Sequence, residues 1–240
     1  MKAVITGASS GIGRELAKIL CGERNNTVLG VGRDKTRLSL LAEELRDCFI
    51  PVQADLSRVE GVYVVFKATR EYLGEVDLLV NNAGFGVYKK IIEHSVEEVV
   101  SLVNVNFIAP LILTKELLNL MRHGSVVVFV VTAGVYVLLE SLPLYGASKV
   151  ALHYAVKALR REIRDRGVHV LAVYPGVVNT EFHIRAGYSL RGGLDPRRVA
   201  EEIIKAIEKK KSEVYIPRYL VTAKLLAPIL PGYKVPVKTR

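Results

Sequence analysis

Two short stretches of the chain carry a tyrosine and a lysine at the same spacing. They are YGASK, with Tyr145 and Lys149, and YVVFK, with Tyr63 and Lys67. On a helix, residues four apart lie on one face with their Cβ atoms about 5–6 Å apart, so the two polar heads could serve one substrate. A cation beside a phenol favours ionisation of the phenol, which suits proton transfer. Spacing alone does not distinguish such a catalytic pair from two neighbours on a helix surface.

The elements that must position such a pair follow from apolar, β-rich runs that alternate with helical patterns. The runs cover residues 3–6, 27–31, 49–54, 76–81, 126–131 and 168–174. Runs that are apolar throughout and alternate with helices indicate a parallel sheet covered on both faces. We therefore predict one α/β domain over residues 1–240, a doubly wound, Rossmann-like parallel sheet. In such sheets the ligand binds outside the carboxyl ends of the strands.

Length and composition favour this fold and argue against several other classes of protein. The chain has 240 residues, of which 50% are hydrophobic, enough for one sizeable core. The uncharged run 125–139 is shorter than the roughly 20 residues that span a bilayer. Glycines interrupt the N-terminal apolar stretch that a signal peptide would need. These features predict a cytoplasmic protein without a transmembrane segment.

The charge and the cysteines indicate neither a nucleic-acid partner nor a metal. The net charge of +10 is concentrated from residue 181 onward, with 13 Lys/Arg against 6 Asp/Glu. Its lysine run at 209–211 ends a helical pattern, where cations favour the helix dipole. Cys21 and Cys48 have neither CxxC spacing nor a histidine cluster nearby. We expect buried or free thiols at these positions.

The stretch TGASSGIG, residues 6–13, joins the first predicted strand to the first helix. Its glycines, Gly7, Gly11 and Gly13, permit a tight turn, a close approach of the backbone to a phosphate, and close helix packing. The N-terminus of the helix then offers unpaired N–H groups to an anion. Any tight turn between a strand and a helix uses glycine, but this position in the fold favours nucleotide binding.

The end of the second predicted strand carries the residues that choose between two nucleotides. A preference for NAD usually needs a carboxylate about 20 residues after the glycines, where it bonds the adenosine ribose. Gly32 and Arg33 stand there instead, and a guanidinium beside a small residue favours the 2′-phosphate of NADP. Asp34 is the alternative ribose ligand. Asp55, which follows the third run, is either an acceptor for the adenine amino group or an ordinary turn residue.

NNAG, residues 81–84, closes the fourth run, where asparagine amides can hold neighbouring strands together. In this order TGASSGIG, NNAG and YGASK resemble the short-chain dehydrogenase/reductase family, and the resemblance covers nearly the whole chain. PGVVNT, residues 175–180, is similar to the family's segment beside the nicotinamide. The resemblance implies cofactor contacts at Gly7, Ser9, Ser10, Gly11, Ile12, Gly13, Arg33, Asp55, Leu56, Asn82, Ala83, Gly84, Tyr145, Lys149, Pro175, Gly176, Val178 and Thr180.

The family also implies a set of catalytic residues. It has a proton-transferring Tyr and a Lys in its YxxxK helix, which match Tyr145 and Lys149. Thr132 stands where the family has a Ser; it keeps the hydroxyl that polarises a carbonyl but adds a methyl group and a stiffer χ1. Asn106, in NVNFIAP, matches the family's Asn on the preceding helix. Asn104 remains the alternative for that position.

Context distinguishes the two tyrosine–lysine pairs. Tyr145 follows the fifth run at the ligand edge of the sheet, whereas Tyr63 lies within a helical pattern and is predicted to be structural. A phenol with a pKa of about 10 is a poor proton donor at neutral pH. A cation about 4 Å away can lower that pKa by roughly two to three units, and Lys149 is expected to do so. Ser141 has the wrong spacing and is predicted to be a loop residue.

Substrate contacts are expected from the least patterned part of the chain. Residues 180–194 follow the PG turn and resemble the family's mobile substrate loop. Within it, Phe182, His183 and Tyr188 are candidates for substrate contact or for loop surface. The apolar segment 135–144 favours a fairly hydrophobic small-molecule substrate.

The resemblance implies an NADP(H)-dependent oxidoreductase that interconverts a carbonyl, ketone or aldehyde, and an alcohol, with Tyr145 as acid and base. Two alternatives are a reductase of imine, enoyl or pteridine-type bonds and a non-catalytic NADP-sensing module. The family also suggests a homodimer or homotetramer through helices around residues 150–161. The apolar segment 219–233 is predicted to pack within the protein or against another subunit rather than on a membrane.

Overall fold

The computed structural model describes residues 1–23, 25–188 and 192–226, and a parallel sheet forms the centre of this part of the chain. Its strands are β1 (Lys2–Thr6), β2 (Thr27–Gly32), β3 (Phe49–Gln53), β4 (Val76–Asn81), β5 (Met121–Val130), β6 (His169–Pro175) and β7 (Glu213–Ile216). They pair in the order β3-β2-β1-β4-β5-β6-β7, every pair parallel. The predicted doubly wound α/β fold is confirmed.

Helices cover both faces of the sheet. They are α1 (Gly11–Cys21), α2 (Lys35–Leu45), α3 (Val59–Tyr72), α4 (Val96–Val103), α5 (Ala109–Leu117), α6 (Pro143–Glu162), α7 (Glu181–Arg185), α8 (Pro196–Glu208) and α9 (Val221–Leu226). Buried side chains of α3, α5 and α6 form a core on one face, and those of α1, α2 and α8 a second core on the other. Val128 and Phe129, neighbours on β5, are both fully buried, one in each core. This explains why the strands read as continuous apolar runs.

Two strands differ from the sequence-based prediction. β7 was not expected, because its three buried residues form only a short apolar run directly after a charged stretch. It gains its place by pairing with β6, where Val214 faces Val173. β5 begins at Met121, five residues before the predicted run. The apolar pattern missed these residues because they are mostly polar and largely exposed.

The expectation of buried or free thiols is wrong, because Cys21 and Cys48 form a disulfide. Cys21 ends α1 and Cys48 directly precedes β3. Their Cα atoms lie 5.6 Å apart although 27 positions separate them in sequence. Folding brings them together, which spacing cannot reveal. Disulfides persist in oxidising compartments and also in intracellular proteins of hyperthermophiles, so the cytoplasmic location stays a prediction.

One helical stretch of the described chain, Val96–Leu120, is long and apolar enough by length and composition to cross a membrane. It comprises α4, a π-helical turn, α5 and a final 3₁₀ turn. Leu113 and Leu117 of α5 are fully buried in the core on one face of the sheet. Packing in this core accounts for the apolar character of α5.

Candidate active site

A cavity of about 950 Å³ lies at the carboxyl ends of the strands, beside the point where the strand order reverses between β1 and β4. Ligands of open α/β sheets bind at such a point. Of the predicted site residues, those that line the cavity are Gly7, Ser9, Ser10, Gly11, Ile12, Arg33, Leu56, Asn82, Ala83, Gly84, Thr132, Tyr145, Lys149, Pro175, Gly176, Val178 and Thr180. Segments far apart in sequence thus meet at one cleft.

The turns after β1 and β4 are locked together at the floor of the cleft. The hydroxyl of Thr6 accepts bonds from the N–H groups of Asn82 and Ala83, each at 3.0 Å. The side-chain amide of Asn82 donates to the carbonyl of Thr6 at 2.9 Å. A Cβ at Gly13 would lie 2.3 Å from the carbonyl oxygen of Gly7. Helix α1 therefore packs directly on the glycine turn, as predicted from the sequence.

The glycine turn leaves the start of α1 open to an anion. Gly7 and Gly11 have φ values of 70° and 56°, a left-handed backbone that residues with a Cβ rarely adopt. Ser10 precedes the first turn of α1 but makes no side-chain capping bond. The first amides of an α-helix have no partner within the helix. At the cavity wall they form an anion-binding position, favoured further by the helix dipole.

The end of β2 supplies a cation that forms no ion pair within 4 Å in the described chain, although its charge acts on Asp55. A Cβ at Gly32 would lie 3.1 Å from the hydroxyl of Ser9, so the absence of a side chain keeps this corner open. The guanidinium of Arg33 lies 5.8 Å from the centroid of the Phe85 ring, and in the described chain no carboxylate pairs with it within 4 Å. Asp34 caps α2, its carboxylate accepting the amide of the third helical residue at 3.0 Å.

Tyr145 and Lys149 lie on the first two turns of α6, beside the end of β5. Lys149 is only 3% exposed, and its Nζ donates to the carbonyl of Val130 at 3.0 Å. The same Nζ lies 5.8 Å from the centroid of the Tyr145 ring. A Cβ at Gly84 would lie 3.4 Å from Nζ, so the smooth backbone of NNAG leaves room for the ammonium. Both polar heads reach the cavity from one helix face.

Asn106 is fully buried and ties the segment after β4 to α6. It lies in the π-helical turn Asn104–Ile108. Its Oδ1 accepts the N–H of Phe85 at 3.0 Å, and its Nδ2 donates to the carbonyl of Phe85 at 2.8 Å. Nδ2 also donates to Ser148 at 3.1 Å, whose hydroxyl donates to the carbonyl of Tyr145 at 2.7 Å. This amide therefore fixes the backbone next to the cavity, in a turn type often found at functional sites.

The predicted lowering of the Tyr145 pKa by Lys149 is wrong for the protein alone. Burial raises the pKa of Tyr145, and a hydrogen bond with Thr132 opposes that rise without cancelling it. Burial also lowers the pKa of Lys149 from 10.5 to about 8. The Thr132 hydroxyl accepts the N–H of Gly134 at 3.1 Å and donates to the carbonyl of Pro175 at 3.4 Å. Tyr145 and Thr132 thus form a hydroxyl pair at the cavity wall.

Comparison with known proteins gives concordant results. The family model for short chain dehydrogenases matches residues 1–188. An uncharacterized oxidoreductase of Staphylococcus saprophyticus is 32% identical over 213 residues, covering 86% of this chain and 91% of that protein. An alcohol dehydrogenase from the archaeon Thermococcus sibiricus, solved with 5-hydroxy-NADP, superposes with a TM-score of 0.80 at 26% identity, covering 89% of this chain and 94% of that one.

A short chain dehydrogenase/reductase from Burkholderia phymatum, solved with NAD, has the same fold. Its TM-score is 0.87 at 23% identity, covering 100% of this chain and 98% of that one. The chain belongs to the short-chain dehydrogenase/reductase family. It is therefore an oxidoreductase of that family, as the motifs suggested.

In this short-chain dehydrogenase/reductase three predicted site residues lie outside the cavity lining. Gly13 supports the glycine turn from behind, and Asn106 lies behind the wall formed by the segment after β4. The carboxylate of Asp55 accepts the N–H of Ser57 at 3.0 Å. Burial acts to raise the pKa of Asp55, but the bonds from Ser57 together with the charges of Arg33 and Arg58 outweigh it and hold the pKa below its usual value. This bond is one that a turn residue makes, and the contact of Asp55 with the adenine amino group stays a prediction.

The alternative candidates for catalytic positions, Tyr63, Asn104 and Ser141, lie in three different parts of the structure. Tyr63 lies on α3, is 45% exposed, and does not line the cavity of this dehydrogenase/reductase. The side-chain amide of Asn104 donates to the carbonyl of Ser57 at 2.8 Å, away from the cluster around Asn106. Ser141 lies in the turn before α6, as predicted, and lines the cavity.

The predicted substrate loop covers one side of the cavity. Phe182 and His183 line it, and the ring centroid of Phe182 lies 5.2 Å from that of Tyr145. Tyr88 holds the loop by a 3.0 Å bond between its hydroxyl and Nδ1 of His183, and its ring stacks on Tyr188 at 4.8 Å. Tyr188 therefore supports the wall rather than lining the cavity. The positions 189–191 of this loop lie outside the described residues.

Sequence reasoning missed two segments that line the cavity. One is the run Phe85, Gly86, Val87 and Tyr88, which continues directly from NNAG, and this position after a strand end was an available signal. The other is the stretch after β7, from which Leu220 and Ala223 line the cavity. No role in the cavity was expected for this stretch from the sequence. In the described part of the apolar segment 219–233, Leu220 and Ala223 thus line the cavity, whereas Tyr219, Leu225 and Leu226 are largely exposed. Its residues 227–233 lie outside the described chain.

Proposed function

We propose that this short-chain dehydrogenase/reductase uses NADP(H) to interconvert a carbonyl, ketone or aldehyde, and the corresponding alcohol. The observation that carries the proposal is the meeting of Tyr145, Lys149 and Thr132 at one wall of a cavity whose other end is the glycine turn. A proton donor and an anion-binding turn within one cleft fit a reaction in which a nicotinamide is held beside a carbonyl.

The cavity fits a dinucleotide. The open start of α1 suits the pyrophosphate, and a Cβ at Gly11 would lie only 2.9 Å from the methyl group of Thr180, so the glycine turn lies close to the segment before α7. The bare backbone at Gly84 suits the flat nicotinamide ring beside Lys149. Of the predicted contacts, Ser9, Ser10 and Ile12 would hold the phosphates, Leu56 and Ala83 the adenosine side, and Pro175, Gly176 and Val178 the nicotinamide. When bound, the cofactor supplies the hydride.

The preference for NADP(H) is supported at the end of β2. Arg33 has no carboxylate partner within 4 Å among the described residues, and it faces the open corner at Gly32. A guanidinium in this setting suits a 2′-phosphate through charge-assisted bonds. Asp34, the ribose ligand expected for NAD, is engaged as the cap of α2 and in an ion pair with Arg37 at 3.1 Å. The alcohol dehydrogenase of Thermococcus sibiricus also binds an NADP derivative.

The catalytic roles follow from the hydrogen bonds. Tyr145 would donate the proton to the carbonyl oxygen in the reductive direction, because its raised pKa keeps the phenol protonated at neutral pH. Thr132, which bonds Tyr145, would hold that oxygen. Lys149 would orient the nicotinamide ribose, and its ammonium charge would stabilise the phenolate that Tyr145 becomes on proton transfer. Asn106 would keep the backbone of the cavity wall in position through its bonds to Phe85.

The substrate side favours an apolar carbonyl compound. Val137, Leu139 and Leu142 line it, together with Phe182 and Leu220. Most ligand sites combine such apolar walls with a few polar groups that fix orientation. A fairly hydrophobic ketone or aldehyde would place its oxygen at Tyr145 and its hydrocarbon part against these walls.

The proposal is tested by titrating the purified protein with NADPH and NADH in parallel, then screening apolar ketones and aldehydes for NADPH oxidation. We expect NADPH to bind at least about tenfold more tightly, about 1.4 kcal/mol, and ketones to be turned over. Turnover of imines or enoyl compounds without ketones would reassign the reaction. Binding without any turnover would indicate a sensing module, and binding of neither nucleotide would refute the proposal.

We also propose a homodimer or homotetramer, through the outer faces of α4 and α6. These neighbouring helices expose large apolar side chains, including Val96, Val100 and Tyr154, beside the exposed Ile92. Exposed apolar side chains on adjacent helices suit contacts with another protein chain. Light scattering of the wild-type protein is expected to give a mass of two or four chains per particle. The Val96→Lys variant is expected to form particles with fewer chains. A monomeric wild-type protein would refute the assembly.

A further inference from the structure

An ion pair joins the two opposite walls of the cofactor cleft. Arg37, on the first turn of α2, donates from Nη1 to Oε2 of Glu181, the first residue of α7. Gly32 and Arg33 next to α2 line one wall of the cavity, and Thr180 and Phe182 around Glu181 line the other. The pair therefore joins the two segments that carry these walls, close to Arg33 at the end of β2.

Both partners of this pair are held in place on their own side. The amide of Arg37 donates to Asp34 at 3.0 Å, and its Nε lies 3.1 Å from the same carboxylate. On the other side Arg185, one turn further along α7, also bonds Glu181. The bond from Arg37 is the main cause that holds the pKa of Glu181 below its usual value, so the carboxylate is ionised at neutral pH.

Helix α7 links this ion pair to the catalytic end of the cavity. Thr180, at its start, contacts the glycine turn, where a Cβ on Gly11 would lie 2.9 Å from its methyl group. Phe182, the next residue after Glu181, packs edge-on against Tyr145 at 5.2 Å between ring centroids. A displacement of α7 at one end of the cleft therefore changes the contact with Tyr145 at the other.

We infer that Arg37 and Glu181 form a latch that fastens α7 over the bound dinucleotide and slows its release. Glu181 is in this account a positioning residue, which acts through α7 rather than on the reacting atoms. The inference rests on the proposed function, since a dinucleotide that occupies the cleft must pass between the two walls that the pair joins. Because Arg37 is engaged by Asp34 and Glu181, the latch is expected to retard NADPH and NADH alike.

A double-mutant cycle on the release rate tests the latch. The variants are Glu181→Gln, Arg37→Gln and the double variant, and dissociation of NADPH and NADH from the binary complexes is followed by stopped-flow fluorescence. Each single variant is expected to release both nucleotides about two- to fivefold faster, the range for a partly exposed ion pair. The double variant is expected to match the single ones. About 1 M salt should abolish the difference from wild type.

Glu201→Gln is the matched control. Glu201 is 45% exposed against 44% for Glu181, and each pairs with an arginine four residues away on its own helix. Glu201 lies on α8 and does not line the cavity, so its loss is expected to leave release unchanged. Melting temperatures of all variants should stay close to that of the wild type.

Three results would overturn the latch. They are an unchanged or slower release from Glu181→Gln, single effects that multiply in the double variant, and an effect of Arg37→Gln confined to NADPH. The last would assign Arg37 to the 2′-phosphate. These results are distinct from failure of the proposed function, in which the wild-type protein would bind neither nucleotide.

Discussion

Replacement of Arg33 by glutamine should weaken the binding of NADPH much more than that of NADH. The guanidinium of Arg33 lies 5.8 Å from the centroid of the Phe85 ring, and it forms no ion pair within 4 Å with a carboxylate of the described residues. Its charge is therefore available to a 2′-phosphate. Hydrogen bonds to charged groups contribute about 1.5–3 kcal/mol, equivalent to about a 10- to 150-fold change in affinity. We expect Arg33→Gln to weaken NADPH binding by that factor and to change NADH binding by less than about twofold.

The assay is equilibrium titration of wild type and variant with both nucleotides at two salt concentrations. Arg70→Gln serves as the control, because Arg70 lies on α3 and does not line the cavity. The NADPH loss should shrink at high salt, since Arg33 is exposed and its charge is screened. Equal losses for NADPH and NADH, or no loss for either, would refute the assignment of Arg33. If the wild-type protein prefers NADH, the ribose contact is assigned to Asp34 instead.

Three further predictions concern the disulfide, the active-site lysine and the buried amide. Loss of the Cys21–Cys48 bond, which closes a loop of 27 positions, should cost about 3–4 kcal/mol and lower Tm by roughly 7–14 °C; identical melting with and without reductant would contradict the pairing. With the pKa of Lys149 lowered to about 8, kcat/KM for reduction should fall as pH rises through 8 and the ammonium loses its charge, and a flat profile would contradict this. Asn106→Ala should leave the backbone N–H and C=O of Phe85 without their partner, at a cost of about 1–3 kcal/mol each, and so lower Tm more than Asn104→Ala does. Equal melting temperatures of the two variants would exclude this role of Asn106.

The sequence predicted those parts of the protein whose backbone permits few alternatives. Gly7, Gly11 and Gly13 occupy positions where a side chain would be strained or would clash, so their spacing identifies the turn wherever it occurs. The strands were recognisable because both faces of the sheet are covered, which makes each run apolar. Tyr145 and Lys149 could be placed because the helix that bears them follows a strand at the ligand edge.

Features that depend on distant contacts could not be predicted. Cys21 and Cys48 meet only because α1 packs against β2, the strand with which β3 pairs. The carboxylate of Asp55 is engaged by its own turn, which the residue type alone does not reveal. The pKa of Tyr145 is dominated by burial rather than by Lys149, and burial is a property of the whole fold. The support of the substrate loop by Tyr88 likewise joins segments far apart in sequence.

The most direct test of the account is the turnover rate of Tyr145→Phe, measured beside Tyr63→Phe. Both variants remove one hydroxyl from a tyrosine four residues before a lysine, but only Tyr145 lines the cavity. With a ketone found in the screen and saturating NADPH, we expect kcat of Tyr145→Phe to fall at least about 100-fold, the usual contribution of a general acid, while NADPH affinity is retained. Tyr63→Phe should equal the wild type. Retention of most of kcat by Tyr145→Phe would contradict the proposed mechanism.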